Sequence, residues 1–164
     1  MGTKSEALAR QFESKLQEAL ATLQALGDAD WTKVTEAEKW SVGVTAHHFA
    51  SILEPVSELI RALANGHSPE RFTRATLDEI NAQHTRDHAN CTKTDTIALL
   101  ERGAVSTVEV LRGLSDDQLA KRGTALTDMP PISVEQLIVT VLLKHADQHF
   151  GSIRKTVGAD GVGG

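Results

Sequence analysis

The sequence predicts an all-α fold, a four-helix bundle of the up-and-down type. Four long segments carry apolar residues at the three- and four-residue spacing of an amphipathic helix, and polar connections of short to medium length separate them. The sequence contains no convincing alternation of apolar and polar residues and no hairpin turn. A chain of 164 residues without internal repeats is expected to form one domain, at residues 1–157, followed by a flexible glycine-rich tail at residues 158–164.

The first two helices have clear boundaries in the sequence. The first is predicted at residues 5–26, where Gly27 follows as a stop. The second begins after Ser41, a favourable N-cap residue, and ends near Asn65 in a turn sequence. Pro55 lies inside this helix, but apolar spacing continues on both sides of it, so we expect a kink at most.

The second half of the chain is predicted to hold the other two bundle helices. The third is expected in two parts, a short helix at residues 77–89 and a long one at residues 94–114, with capping side chains between them. A polar connection at residues 115–131 follows. Ser133 is predicted to cap the last helix, which ends near Val157.

The composition argues against several classes of function. The net charge is −5 and the 17 Lys and Arg residues are spread along the chain, so no nucleic-acid interface is indicated. Cys91 is the sole cysteine, which excludes an internal disulfide and suits a reducing compartment. No apolar run approaches the roughly 20 residues of a membrane helix, and the N-terminus opens a charged helix rather than a signal peptide. We therefore expect a soluble, cytoplasmic protein.

Two histidines in the last helix occupy positions where a bundle helix normally carries leucine. Val134, Ile138 and Val141 recur at helical spacing, and the same stripe continues through His145 and His149. A buried polar ring without a partner costs about 1–3 kcal/mol. A divalent metal is the simplest partner, because histidines four residues apart on one helix can bind one ion together. The alternative is a pair of core histidines that bond to hydroxyl or backbone groups.

The second helix carries the adjacent histidines His47 and His48. His48 shares a face with the apolar residues Val44, Ile52 and Leu59, and is expected to point toward the core. His47 shares its face with the small or polar residues Gly43, Ser51 and Glu54, which is the wetter side. If either joins His145 and His149, the spacing therefore favours His48.

Three neutral imidazoles would leave a divalent ion with an open coordination position. This arrangement is typical of catalytic zinc sites, whereas structural zinc sites are usually closed by four protein ligands. Zinc can lower the pKa of a bound water to about 7. No general base is evident, because Asp147 turns away from the two helix ligands. The weak candidates for that role are His47, His84 and Glu54.

A second pair at four-residue spacing, His84 and His88, has two interpretations. The pair could line the pocket as substrate-binding or proton-transfer groups. It could also lie on a solvated helix face beside Arg86 and Asp87, which is the simpler interpretation. Cys91 is as readily explained by a small buried filler as by a reactive thiol.

Three features together resemble the DinB-like superfamily of four-helix-bundle metalloenzymes. These are Trp40-Ser41, the placement of His48 eight positions after the tryptophan, and the segment from His145 through His149 to Ile153 in the last helix. The resemblance implies a metal triad of His48, His145 and His149, with zinc or nickel as the ion. It also implies chemistry on a low-molecular-weight thiol, since relatives include thiol-dependent transferases and isomerases. His84 and His88 lie outside the family pattern.

We therefore expect a metal-dependent enzyme of unassigned substrate, either a hydrolase or a low-molecular-weight-thiol-dependent transferase. Its expected partners are a small-molecule substrate or thiol, with no nucleic acid and no membrane, and a homodimer is plausible. The competing hypothesis is a non-catalytic, metal-binding stress-response bundle whose ion only joins two helices. A dimerising bundle without any metal is the remaining alternative.

Overall fold

Long helices dominate the computed structural model of the chain, which describes residues 2–161. The elements, in chain order, are α1 (Thr3–Ala25), α2 (Asp28–Trp31), α3 (Val42–Ala64), α4 (Arg74–Asp87), α5 (Lys93–Arg112), α6 (Asp116–Ala120), β1 (Arg122–Gly123), β2 (Ile132–Ser133), α7 (Val134–Leu137), a π-helical segment (Ile138–Lys144) and α8 (His145–Gly161). The segments from α7 to α8 follow one another without a gap and act as one long helix. With α1, α3 and α5 this helix forms a bundle, which confirms the predicted all-α four-helix fold.

Side-chain caps begin most of the long helices where the sequence predicts them. Ser41 accepts a hydrogen bond from the Val44 amide at 3.0 Å at the start of α3. Thr92 caps α5 and Ser133 caps α7 in the same way. Each such cap satisfies an amide that the first helical turn leaves without a partner.

The structure adds elements that the sequence does not predict and moves some boundaries. The short helices α2 and α6 lie in polar connections, and α4 begins at Arg74 rather than at Leu77. β1 and β2 form an antiparallel pair of two residues each, which is too short to leave a periodic pattern in the sequence. The last helix continues past Val157 to Gly161. The rest of the predicted tail, residues 162–164, lies outside the described residues.

The core lies between the four long helical segments. Phe12 of α1, Phe49 of α3 and Leu100 of α5 are fully buried there, together with Ile138 and Ile153 of the last helix. Burying each such side chain contributes about 1.5–3 kcal/mol relative to leaving it in water. Within residues 2–161, no helix combines the length and hydropathy needed to cross a membrane.

The bundle does not alternate direction at every step. α1 and α5 are antiparallel, because Lys93 Nζ at the start of α5 donates to the Leu26 carbonyl just past the end of α1. α3 and α5 run parallel, since Leu53 packs beside Gly103 and Ser57 Oγ lies 2.8 Å from Thr107 Oγ1 one turn further along both helices.

The segment that contains α4 carries the chain back between the parallel helices α3 and α5. α1 packs against α5 and the last helix, and α3 packs against the same two neighbours. α1 and α3 therefore occupy opposite corners of the bundle. The up-and-down description holds for α1 and α3, which are antiparallel, but not for the pair α3 and α5.

Candidate metal centre

The first turns of α3 are buried on every side, which places both of its histidines inside the protein. His48 is 4% exposed and His47 is 8% exposed. The predicted inward direction of His48 is confirmed. The prediction that His47 lies on the wetter side is wrong, because α4 covers that face of α3 and brings His84 and His88 onto the His47 ring.

The last helix supplies two histidines from one face of α8. The residues before them form a π-helical segment, whose backbone hydrogen bonds span five residues rather than four, so each turn is wider than an α-helical turn. It shifts the apolar stripe, leaving Val141 half-buried while Leu142 and Leu143 are buried. His145 and His149 still face the bundle, one turn apart. Such π-helical turns occur frequently at functional sites.

The structure brings His48, His145 and His149 together. One ring nitrogen from each lies within 4.8 Å of the other two. The Nε2 atoms of His145 and His149 are 2.7 Å apart. The His48 ring stands edge-on to both, with centroids at 5.4 Å from His145 and 5.0 Å from His149.

These residues fit a divalent metal by two criteria. The donor set of imidazoles suits zinc and other late divalent ions. With Zn–N bonds of about 2.0–2.1 Å, two tetrahedral ligands lie roughly 3.3 Å apart, so a small rotation of the His145 and His149 rings would admit an ion between the facing Nε2 atoms. The Nδ1 atoms, on the far side of each ring, are buried without a hydrogen-bond partner, which disfavours the alternative of core histidines bonded to hydroxyl or backbone groups.

Glu38 is a site residue that sequence reasoning missed. Its side chain is 10% exposed, and its Oε1 lies 3.5 Å from His149 Nδ1. This separation is longer than a good hydrogen bond, but a slight closure would make one. Ser152 Oγ donates to the other carboxylate oxygen at 2.8 Å. A carboxylate that accepts from the far nitrogen of a histidine orients that ring toward a metal.

A tight turn between α2 and α3 holds Glu38 in this position. The Thr35 amide donates to the Trp40 carbonyl at 2.8 Å, and the Lys39 amide donates to the Thr35 carbonyl at 3.1 Å. Lys39 has a φ of 64°, in the left-handed region that costs energy for a residue with a side chain. No helix pattern covers these residues, and the Glu38 carboxylate therefore left no periodic mark in the sequence.

Trp40, from the same turn, packs against two of the three histidines, His48 and His149. Its ring centroid lies 5.1 Å from that of His48, edge-on, and 6.3 Å from that of His149, nearly stacked. A large apolar ring in this position limits the access of bulk water to the imidazoles and strengthens the electrostatic interactions beneath it.

The sequence matches the model of the DinB superfamily over residues 11–153. The chain belongs to the DinB superfamily. The resemblance drawn from Trp40, His48 and the last helix is thereby confirmed at the level of the family. None of the curated proteins matches this DinB-superfamily chain in sequence.

Two solved structures share the fold of this DinB-superfamily chain. An uncharacterized protein from Clostridium difficile 630 superposes with a TM-score of 0.75 at 15% identity, covering 94% of this chain and 96% of that chain. YfiT from Bacillus subtilis has a TM-score of 0.73 at 16% identity, covering 96% of this chain and 90% of that chain. YfiT is described as a probable metal-dependent hydrolase with an unusual four-helix bundle topology. At these identities the likeness concerns the fold.

Burial keeps the DinB-superfamily triad neutral near pH 7. Burial, together with the neighbouring His149 and His145, lowers the pKa of His48 to about 3. It also lowers the pKa of His145 to about 4. Burial lowers the pKa of His149 as well, whereas the Glu38 carboxylate raises it. Neutral imidazoles are the form that binds metal, so no proton has to leave these rings first.

The three weak candidates for a general base have different positions. His47 and His84 are joined, with His47 Nδ1 at 2.8 Å from His84 Nε2. His84 and His88 are half-buried rather than solvated, contrary to the simpler interpretation of this pair. Glu54 is exposed on α3, and no hydrogen bond or ion pair links it to the histidines within the described part of the chain.

Two further predictions from the sequence can be compared with the structure. Asp147 turns away from the triad as expected, and its carboxylate pairs with Lys15 Nζ at 2.7 Å on the bundle surface. Cys91 is a half-buried free thiol, and burial raises its pKa, which disfavours the reactive thiolate.

Proposed function

We propose that this protein is a metal-dependent hydrolase whose divalent ion is held by His48, His145 and His149. The observation that carries the proposal is the convergence of three ring nitrogens within 4.8 Å, a group that no fourth His, Cys or carboxylate among the described residues joins. Three protein ligands and one open position are typical of catalytic zinc sites, whereas structural sites are usually closed.

The residues around the triad have distinct roles in this proposal. A bound zinc-like ion would supply Lewis-acid chemistry, bringing the pKa of a water molecule to about 7. His48 from α3 and the two histidines of α8 would hold the ion between neighbouring helices. Glu38 orients His149 through its Nδ1 and adds negative charge beside the three neutral rings. Trp40 limits the access of bulk water to the His48 and His149 rings.

Hydrolysis is the better supported of the two expected chemistries. The description of YfiT as a probable metal-dependent hydrolase supports it, as does the neutral, three-histidine ligand set. Transfer to a low-molecular-weight thiol is supported by the softness of thiolate toward late divalent ions. Hydrolysis requires a water molecule at the open position of the ion, whereas thiol transfer requires a thiolate there. This difference can be tested directly.

The test uses cobalt as a coloured substitute for the native ion. We would load the metal-free His84→Ala/His88→Ala variant, in which the triad stays intact, and record the visible spectrum during additions of azide and of a small thiol. We expect azide to change the spectrum, because an open position exchanges its ligand. In the unchanged chain, which keeps His84, we also expect metal-dependent cleavage of at least one chromogenic ester, amide or phosphoester.

The control is the His145→Ala/His149→Ala variant, which should show neither the spectral change nor the cleavage. A spectrum that neither azide nor thiols change would mean a closed coordination sphere, and the non-catalytic bundle would then be the better interpretation. A spectrum that responds to thiols together with an absence of cleavage would overturn hydrolysis in favour of thiol transfer.

A further inference from the structure

A second group of three histidines lies beside the first. His47, His84 and His88 each offer a ring nitrogen within 4.8 Å of the other two. His47 Nδ1 and His84 Nε2 face each other at 2.8 Å, and the His88 ring stacks on His47 with centroids 4.2 Å apart. The two groups are in contact, because His84 of the second lies edge-on to His48 of the first at 5.8 Å.

The helix that carries two of these histidines has little else to hold it. No residue of α4, which is described throughout, is buried, and Ile80 on it is 50% exposed. Its N-terminus is tied to the connection before β2, where the Arg74 amide donates to Asp128. A short helix without a buried apolar face gains little from packing, which normally supplies most of a helix's stability. At its C-terminal end, His84 and His88 contact α3 through the His47 ring.

Two features of the surroundings fit a bound ion. His84 Nδ1 is buried without a hydrogen-bond partner. The carboxylates of Asp87 and Asp95 interact electrostatically with His84 and His47, so they would offset part of the charge of an ion.

We propose that His47, His84 and His88 bind a second divalent metal ion of the zinc class, which fastens α4 to α3 next to the first centre. Three imidazoles from a buried helix turn and from a pair at four-residue spacing form the ligand set that zinc and related ions prefer. The proposal of a second ion does not depend on hydrolysis at the first centre. The second ion would hold α4 as a wall of that centre, since His84 lies between the two groups.

The test is a metal count on the full chain. Metal-free protein would be titrated with zinc by calorimetry, and bound zinc would be measured after gel filtration. We expect two equivalents for the unchanged chain, one for His84→Ala/His88→Ala and one for His145→Ala/His149→Ala. The matched control is His67→Ala, in an exposed loop, which should retain two. The single equivalent kept by each double variant also shows that it folds.

Hydrogen exchange measures the effect on α4 separately. We expect zinc to slow amide exchange in residues 74–87 at least tenfold in the unchanged chain, but not in His84→Ala/His88→Ala. If His84→Ala/His88→Ala lost bound zinc while His145→Ala/His149→Ala bound as much zinc as the unchanged chain, the result would support the second site and refute the first. Two equivalents retained by His84→Ala/His88→Ala, or a single equivalent in the unchanged chain that both double variants lose, would overturn the proposal.

Discussion

At the scale of single residues, the site depends on how each imidazole is oriented. His149 is held between a neighbouring ring and a carboxylate, with Nε2 at 2.7 Å from His145 and Nδ1 at 3.5 Å from Glu38. Ser152 fixes that carboxylate in turn, from a position one turn after His149. Glu38 is thus held beside His149 by Ser152, a position that suits a group orienting the His149 ring.

We predict that Glu38→Gln weakens zinc binding at the triad about 10- to 100-fold, because outer partners of ligating histidines have effects of that size. Ser152→Ala should act in the same direction but less strongly. Affinity would be measured by competition with a chromophoric chelator in the His84→Ala/His88→Ala background. Glu36→Gln, at an exposed glutamate of the same turn, is the matched control. Equal affinities for Glu38→Gln and Glu36→Gln would mean that Glu38 does not orient His149.

A pH dependence follows from the buried rings in the metal-free protein. The folded-state pKa is about 3 for His48 and about 4 for His145, against an ordinary value of 6.5. As the pH falls below about 6.5, the unfolded chain takes up protons before the folded chain does, so the free energy of unfolding decreases toward pH 4. Urea midpoints of chelator-treated protein at pH 7, 6 and 5 would measure the decrease. His145→Ala/His149→Ala should have a shallower slope than the unchanged chain, and His67→Ala an equal one.

At the scale of elements, the close approach of α3 and α5 depends on a glycine. A Cβ built at Gly103 would lie 2.9 Å from the Leu53 Cβ, closer than real side chains allow. The backbone of α5 at Gly103 therefore packs directly against the Leu53 side chain of the parallel helix α3.

We predict that Gly103→Ala lowers the free energy of unfolding by about 1–3 kcal/mol, because overpacking forces the two helices apart. The matched control is Gly151→Ala in the interior of α8, where a Cβ would meet nothing within 4 Å. That variant should be neutral or more stable by up to about 1 kcal/mol, from helix propensity alone. Urea unfolding of both variants checks the pair. Equal effects of the two substitutions would contradict the packing explanation.

At the scale of the whole molecule, the first histidine group joins α3 to the last helix and the second joins α3 to α4. α3 therefore contributes to both groups from two adjacent residues. A ligand that binds only the folded chain stabilises it by mass action. The proposed ions would thus connect elements that the apolar core holds together only in part.

We predict that zinc at 100 times its dissociation constant raises the free energy of unfolding by about 2.7 kcal/mol for each site that it occupies. The measurement is the urea midpoint with zinc and with a chelator. In His145→Ala/His149→Ala the gain from the first site should disappear. An unchanged gain in that variant would place the stabilising ion elsewhere.

The sequence by itself determined what depends on neighbours along the chain. Apolar spacing located the long helices, Ser41 and Ser133 capped them, and the four-residue spacing of His145 and His149 put two imidazoles on one face of a helix. These features follow from helical periodicity and from hydrogen bonds to the nearest amides, both of which act over a few residues. The choice of His48 rather than His47 for the inner face followed from the same periodicity.

Only the tertiary structure decided what depends on distant segments. α4 returns the chain so that α3 and α5 run parallel, and this places His84 and His88 against His47 and buries a side chain that periodicity assigned to the solvent. Glu38 reaches His149 from an irregular turn, more than a hundred residues earlier in the sequence. Such contacts are set by packing and by the directions of loops, which leave no periodic mark in a sequence.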